Sequence, residues 1–157
     1  MQEEIYNTAG HLIRRLNQIS MSVFQNRVRA AGYDLTSVQF AALVLVRSHP
    51  GIDQAGLAGL IAYDRATIGG VVDRLESKQL LDRRVSPQDR RVRELRISAA
   101  GIAALEVLQP VVQALQDEIL TGLDAEERVQ FLKLAAKAAT GGNALSRAPL
   151  IPREGDS

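Results

Sequence analysis

The sequence predicts a mainly α-helical fold that contains one small β-hairpin. Three observations lead to this prediction. Long stretches towards both ends place apolar residues three and four positions apart, which is the spacing of an amphipathic helix. Two short helical patterns follow one another closely in the middle of the chain. Two segments in which apolar and polar residues alternate come directly after them, as in a strand pair.

The first predicted helix covers residues 3–31, and Gly32 is its plausible end. Its apolar positions form a seam like that of a coiled coil. They are Ile5, Ala9, Leu12, Leu16, Ile19 and Val23. A similar seam recurs near the other end of the chain, in the stretch 99–121. A single copy would leave such seams exposed, so both predict a partner helix.

Three shorter helices are predicted between the two seams. Thr36 is the expected N-cap of a helix over 37–48, which is apolar on most sides and should be buried. Asp53 is the expected cap of the next short helix, and Asp64 caps another over 65–78. Two short helices joined by so few residues form a helix-turn-helix.

The alternating segments 81–85 and 92–97 flank a charged loop that is rich in turn residues. This pattern predicts a β-hairpin, and a hairpin that directly follows a helix-turn-helix is called a wing. The predicted fold class is therefore a mainly α winged helix-turn-helix, over about 36–97, with additional helices on either side.

The remaining part of the chain is predicted to be helical and then disordered. Ser98 is the expected N-cap of one long helix over 99–121, and Pro110 should kink this helix or split it into two. Asp124 begins a last helix over 124–140. The tail 141–157 contains two prolines and is predicted to be disordered.

Composition excludes several classes of function. The 157 residues include no cysteine, which rules out disulfides, a thiol nucleophile and a cysteine-ligated zinc site. The two histidines, His11 and His49, belong to different predicted helices, so no metal or cofactor is expected. No nucleophile–base pair or phosphate-binding glycine loop suggests an enzyme. The chain has neither a secretory signal nor an apolar run of membrane-spanning length, so a cytoplasmic location without membrane contact is expected.

The distribution of charge favours a partner with phosphate groups. The net charge is only +1. However, residues 60–97 contain nine Lys or Arg against six Asp or Glu, whereas residues 98–140 contain three against six. A basic centre followed by an acidic helical segment is typical of a module that binds nucleic acid locally.

The helix over 65–78 has the side chains expected of a DNA recognition helix. If its apolar stripe faces the core, the opposite face carries small residues, which allows the backbone to approach base edges in the major groove. The alternative is a plain surface helix, but two adjacent glycines cost about 0.5–1 kcal/mol each relative to alanine, which favours groove entry. The candidate DNA-binding residues of this helix are Arg65, Ala66, Thr67, Gly69, Gly70, Asp73 and Arg74.

The wing supplies a second candidate contact. Arg90 and Arg91 at its tip can reach the minor groove, whose negative potential attracts guanidinium groups. Asp89 is expected to hold one of these arginines in position. Four arginines on the strands are expected to approach phosphates, namely Arg83, Arg84, Arg93 and Arg96. The alternative is a self-paired surface charge cluster, which the preceding helix-turn-helix makes the weaker interpretation.

These motifs resemble the MarR family of bacterial regulators, over roughly residues 8–140. The most specific part is the Asp-x-Arg of the wing placed before Leu-x-x-Ser-x-x-Gly. The matching segments are DRATIGGVVDRLE at 64–76, LLDR at 80–83, DRR at 89–91 and LRISAAG at 95–101. The chain has Gln79 where the family usually has glycine, and Ser98 where it has threonine. Gln79 is expected either to be left-handed at a cost of about 1 kcal/mol or to end its helix differently.

The resemblance implies a homodimer that binds double-stranded DNA. Residues 1–140 would form one domain, with the winged helix-turn-helix at about 36–97 and a helical dimerisation region of the helices 3–31, 99–121 and 124–140. Two recognition helices related by a two-fold axis would read a pseudo-palindromic operator with half-sites about 10–10.5 base pairs apart.

A polar stripe on the first helix is a candidate ligand site. The segment Gly10–Arg15 is similar to a MarR subgroup that controls aromatic-acid catabolism. Arginine and histidine can bind a carboxylate, while apolar side chains can enclose a ring. The candidate residues are His11, Arg14, Arg15, Gln18, Phe40, Leu43 and Val44. The alternative is that the stripe is simply the solvated side of the helix.

The expected function is therefore a transcriptional repressor that a small aromatic carboxylate releases from DNA. The alternative is a regulator or activator of the same fold that responds to no effector.

Overall fold

The computed structural model describes residues 2–153 and confirms a mainly α fold with one β-hairpin. Seven α-helices, two strands and a short 3-10 turn follow one another along the chain. They are α1 (Gln2–Tyr6), α2 (Ala9–Ala30), α3 (Ser37–Ser48), α4 (Gln54–Ile61), α5 (Arg65–Ser77), β1 (Leu81–Val85), β2 (Arg93–Ile97), α6 (Ala99–Ile119), α7 (Ala125–Gly141) and the 3-10 turn Asn143–Leu145.

The N-terminal helical region is divided into two, so the prediction of one helix over 3–31 is wrong in this respect. The backbone at Thr8 is extended, and its hydroxyl donates to the carbonyl oxygen of Ile5 over 2.9 Å. Asn and Thr side chains compete for backbone groups in this way and therefore favour helix ends over helix interiors. Asn7 and Thr8 are adjacent, and the chain leaves the helix there.

The five predicted N-caps are confirmed. Each cap residue has an extended backbone, and its side chain accepts a hydrogen bond from the N–H three residues later. Those at the starts of α3 and α7 are complete capping boxes, in which a Gln or Glu side chain also returns to the cap N–H. The cap residues are Thr36, Asp53, Asp64, Ser98 and Asp124.

The two long helices α2 and α6 pack against each other within the chain. Leu105 and Leu108 of α6 have no exposed area, so the expectation that a single copy would leave this seam open is wrong for α6. The α2 seam remains open in the single chain, because Leu12 and Ile19 are each 42% exposed.

Helix α6 continues through Pro110 and is not split there. Proline removes the hydrogen bond to the carbonyl oxygen of the residue four positions earlier, which is Glu106. Both Pro110 and Glu106 are exposed. Water can therefore hydrogen-bond to that carbonyl oxygen, and the helix tolerates the proline.

The hairpin pairs β1 and β2 antiparallel, from Leu81 opposite Ile97 to Val85 opposite Arg93. The segment before α4 adds a short third edge to it. Leu95 donates to the carbonyl oxygen of Ile52 over 2.8 Å and accepts from the N–H of Gly51 over 3.0 Å. This pairing attaches the base of the wing to the helix-turn-helix.

The described part of the tail, up to residue 153, has a defined path in place of the disorder predicted for 141–157. The described part follows a defined path back to α4, where the N–H of Ile151 donates to the carbonyl oxygen of Gly59 over 2.9 Å. Before that, the side-chain amide of Asn143 forms two hydrogen bonds, of 2.8 and 3.0 Å, with the backbone of Leu150. Residues 154–157 of the predicted disordered tail lie outside the described residues.

Gln79 has the left-handed backbone that its replacement of a glycine suggested, with φ of 60°. We expect Gln79→Gly to raise the free energy of unfolding by about 1 kcal/mol, because glycine adopts this conformation without a Cβ clash. Urea denaturation measures the change. Ser77→Gly, two residues earlier at ordinary helical angles, should instead lower stability by about 0.5 kcal/mol. If Gln79→Gly and Ser77→Gly changed the free energy of unfolding equally, the left-handed backbone of Gln79 would not be the cause.

Candidate nucleic-acid interface

Helix α5 presents the small-residue face that the sequence predicted. Ile68, Val72 and Leu75 have no exposed area and fix the inner side of the helix. Gly69 is half-buried, and a Cβ at Gly70 would meet nothing within 4 Å. The other candidate residues of this helix are exposed. They are Arg65, Ala66, Thr67, Asp73 and Arg74.

The first turn of α5 is fixed by its cap. The Asp64 carboxylate accepts from the N–H of Thr67 at 2.9 Å and from the Thr67 hydroxyl at 2.9 and 3.0 Å. The Thr67 N–H, and then its hydroxyl, lower the pKa of Asp64, so this carboxyl is ionised at neutral pH. The Thr67 hydroxyl hydrogen is therefore used within the protein, which leaves its methyl group and oxygen lone pairs for contact with a base.

Arg83 joins the wing to helix α5, and the phosphate contact expected of its side chain stays a prediction. From β1, its guanidinium donates to Asp73 at 2.5 Å and to Glu76 at 3.1 Å, both on α5. It also donates to the side-chain oxygen of Gln54 on α4 at 3.2 Å. The hydrogen bond from Arg83 lowers the pKa of Glu76. Three elements of the interface are thereby connected through one side chain.

This network also changes the interpretation of Asp73. Its carboxylate is a candidate for DNA contact by position, but Arg83 already neutralises it. Asp73 and Glu76 lie three residues apart on one face of α5, a spacing that brings two carboxylates to one partner. The sequence could have predicted this network from two carboxylates three residues apart on a helix, followed by an arginine on the next strand.

The wing tip carries an ion pair in the expected place. The carboxylate of Asp89 accepts from Nε and Nη2 of Arg91, each at 3.2 Å, and from the Arg91 N–H at 3.0 Å. These hydrogen bonds lower the pKa of Asp89. The Arg91 side chain remains 90% exposed. Arg90 is exposed, and its carbonyl oxygen accepts from Arg93 at 3.1 Å, which braces the loop.

The wing loop and the start of α4 also lie close to each other. Arg91 and Arg93 line an open cleft of about 270 Å³ together with Asp53, Gln54 and Ala55 at the start of α4. A thin exposed helix and an arginine-tipped hairpin therefore project from one connected unit. This arrangement can place a helix in the major groove and a guanidinium group in the neighbouring minor groove.

The polar stripe of α2 is linked along the helix. Arg14 donates to the side-chain oxygen of Gln18 at 3.3 Å, and its other terminal nitrogen lies 3.3 Å from Nδ1 of His11. The ring of Tyr6 packs edge-on against that of His11, with centroids 5.3 Å apart. Arg15 is exposed. Within residues 2–153, Nε2 of His11 is buried and has no hydrogen-bond partner.

The apolar candidates for the ligand site lie on α3. Phe40 is partly buried and packs against Phe24 of α2, with ring centroids 6.0 Å apart. Val44 is also partly buried, whereas Leu43 has no exposed area and belongs to the core. In the single chain, Phe40 and Val44 can therefore contact a ligand more readily than Leu43.

A separate apolar cleft of about 370 Å³ lies where α2, the end of α6 and α7 meet. It is lined by Ile13, Leu16, Asn17, Ser20, Ile119, Leu120, Phe131 and Ala135. The candidate ligand residues do not line it. In the described part of the chain, acidic and histidine side chains form no group that could hold a metal ion, and no helix has the length and apolarity to cross a membrane.

Comparisons with known proteins agree with the geometry. The model of the MarR family matches residues 35–92, which cover α3, α4, α5, β1 and the loop of the wing. The HTH-type transcriptional repressor NicR of Pseudomonas putida is 34% identical over 134 residues, 85% of this chain and 84% of NicR.

Two solved structures are also similar over most of their length. BpsR of Bordetella bronchiseptica, whose DNA binding is regulated by 6-hydroxynicotinic acid, is 29% identical with a TM-score of 0.78, covering 85% of this chain and 94% of BpsR. The transcriptional repressor CouR, bound to a 23-mer DNA duplex, is 27% identical with a TM-score of 0.78, covering 88% of this chain and 97% of CouR.

Proposed function

Because this chain belongs to the MarR family of DNA-binding transcriptional regulators, we propose that it is a homodimeric repressor that a small aromatic carboxylate releases from its operator. Its relatives are transcriptional regulators, a class of proteins that are not enzymes. NicR is a repressor, and BpsR responds to a hydroxylated pyridine carboxylic acid. These relatives support both the sign of regulation and the chemical class of the effector.

The observation that carries the proposal is the thin outer face of α5 held rigidly beside an arginine-tipped wing. We assign base contacts to the first turn of the helix, at Arg65 and Thr67, where the exposed face begins. Gly69 and Gly70 let the backbone approach the groove, and Arg74 lies on the same helix for a phosphate contact. Arg90 and Arg91 are assigned to the minor groove.

Dimerisation is supported by apolar side chains that the single chain leaves uncovered. Ile13 on α2 is 67% exposed, and Val129 and Leu134 on α7 are 68% and 65% exposed. Helix α7 contains no buried residue. Apolar helix faces of this kind favour association with a second copy. Two copies related by a two-fold axis match a pseudo-palindromic operator.

The effector proposal rests on the α2 stripe. A buried polar atom without a partner is costly, and such atoms in native proteins often mark a ligand or water site. Nε2 of His11 is such an atom. We assign the effector carboxylate to Arg15 on the same helix. Phe40 packs against Phe24, about 20 Å along α2 from His11, so we assign the apolar contact of Phe40 and Val44 with the ring to the dimer, in which the second copy can supply them.

The test is release from DNA. We expect the purified protein to retard its own upstream DNA, and a benzoate- or nicotinate-type acid to reverse this. Arg15→Ala should retain DNA binding but weaken the effector response at least tenfold, because a charge-assisted bidentate hydrogen bond contributes about 1.5–3 kcal/mol. Isothermal titration calorimetry and electrophoretic shift measure the two effects, and Arg29→Ala, at the opposite end of α2, serves as control.

The outcomes separate the alternatives. Failure to retard any upstream DNA at low salt would refute the DNA-binding assignment for these residues. If the protein binds DNA and no acid from a broad panel of aromatic acids binds to it or releases the DNA, the effector-independent regulator would be favoured. An unchanged effector response in Arg15→Ala would move the ligand site away from the α2 stripe.

A further inference from the structure

The C-terminal segment 142–153 lies against the helix-turn-helix, and its position depends on a glycine of α4. The backbone hydrogen bond from Ile151 to Gly59 joins the two. A Cβ at Gly59 would approach the Cβ of Ile151 to 3.2 Å, which is tighter than ordinary contact. Gly59 is also buried. The tail therefore occupies a groove that α4 opens by lacking a side chain.

The two glycines of α4, Gly56 and Gly59, need such an explanation. In a helix of eight residues each costs about 0.5–1 kcal/mol relative to alanine. A Cβ at Gly56 would lie 3.1 Å from a guanidinium nitrogen of Arg153, but also 3.0 Å from the Asp53 carboxylate and 3.1 Å from Cγ1 of Ile52. The approach of the tail therefore explains the glycine at Gly59, whereas at Gly56 the start of the helix itself leaves as little room.

The tail folds into a compact loop before it reaches this groove. The two hydrogen bonds between the Asn143 side chain and the Leu150 backbone close the loop, and the Ser146 hydroxyl accepts from the N–H of Ala148 at 3.1 Å. Arg147 lies between these contacts and is exposed. Its position is therefore restrained on both sides.

Arg147 lies next to the start of the recognition helix. It lines an open cleft of about 600 Å³ together with Ala62, Tyr63 and Asp64. A narrower cleft of about 200 Å³ is lined by both Arg147 and Arg65. Its charge adds to the causes that lower the pKa of Asp64, after the hydrogen bonds from Thr67. A second cation thus stands beside the residue to which we assign base contacts.

We infer that the docked tail is part of the DNA-binding surface, where Arg147 contacts a backbone phosphate next to the point at which α5 enters the groove. This inference rests on the proposed function, because it requires α5 to be the recognition helix. The attraction between an exposed guanidinium group and phosphate is independent of sequence, so Arg147 would strengthen binding to all duplexes alike.

The test is the salt dependence of DNA affinity, measured by fluorescence anisotropy on the operator duplex with the full chain. Each neutralised phosphate contributes about 0.9 to the slope of log affinity against log salt, so Arg147→Ala should lower the slope of the dimer by about 1.8. Arg147→Lys keeps the charge and should retain most of the slope. Ile151→Pro removes the N–H that donates to Gly59 without changing the charge, so it should undock the tail and reproduce at least half of the loss.

Each outcome decides a separate point. If the unmodified protein binds the operator but Arg147→Ala leaves the slope unchanged, the phosphate contact is wrong while the proposed function stands. If the unmodified protein does not bind DNA, the proposed function itself fails. If Arg147→Ala lowers the slope but Ile151→Pro does not, docking of the tail is unnecessary and that half of the inference is overturned.

Discussion

Replacing Arg91 by alanine is expected to weaken operator binding roughly 100-fold and to lower the salt slope by about 1.8. The dimer would lose two wing contacts, each contributing about 1–1.5 kcal/mol as a charged group at a groove. Asp89 adds to the loss, because the carboxylate that accepts from Arg91 at 3.2 Å would face phosphate without its cation. Fluorescence anisotropy across a salt series measures both quantities.

Two variants distinguish the loss of a wing charge in Arg91→Ala from a loss of structure and from a loss of sequence-specific base contacts. Arg91→Lys keeps the charge, so it should keep the slope while losing part of the affinity, since lysine cannot make the two-pronged contact with Asp89. Thr67→Val changes a residue of the recognition helix and should alter preference at particular base pairs with little change in slope. A slope unaltered by Arg91→Ala would place the wing away from DNA.

Replacing Gly101 by alanine is expected to destabilise the fold by about 3 kcal/mol, near the upper end for inserting one methyl group into a packed site. A Cβ at this position would overlap the carbonyl oxygen of Leu80 and would lie 2.7 Å from Cγ1 of Ile97. The carbonyl cannot easily move, because it accepts from the N–H of Ser98 at 3.1 Å. Helix α6 would have to shift away from the wing.

Thermal and urea denaturation measure this loss. For a chain of this length, about 3 kcal/mol corresponds to a Tm lower by roughly 6–12 °C. Gly70→Ala is the matched control, because the same methyl group would meet nothing within 4 Å on the exposed side of α5. It should raise stability by about 0.5–1 kcal/mol through helix propensity. Similar Tm values for the two variants would contradict the clash at Gly101.

The parts of the fold that could be predicted are those with local signals. Each N-cap is a polar side chain that bonds to a backbone group three residues later, so the starts of five helices could be read from the sequence. The wing followed from alternation and turn residues, and the ion pair at its tip from the adjacency of Asp89 and Arg91. The left-handed backbone of Gln79 was one of two conformations expected because Gln79 stands where the family usually has glycine.

The features that could not be predicted depend on contacts far apart in the chain. The tail meets α4 through Ile151 and Gly59, and no pattern in either segment specifies the other. The burial of Leu105 within one chain depends on how α2 and α6 pack, which a seam alone does not define. The partners of Arg83 depend on which face of β1 turns towards α5. The roles assigned to residues in DNA and effector binding remain predictions for the experiments above.

The contacts of the Arg83 side chain limit which features of an operator sequence can vary between proteins of this kind. Because it joins β1 to both α4 and α5, we expect the distance between α5 and the hairpin to stay constant within each copy. Operators could then differ in the bases that face exposed side chains of α5, but not in the spacing between the two contacts of one copy. A small molecule that releases the DNA would accordingly be expected to change the distance between the two copies.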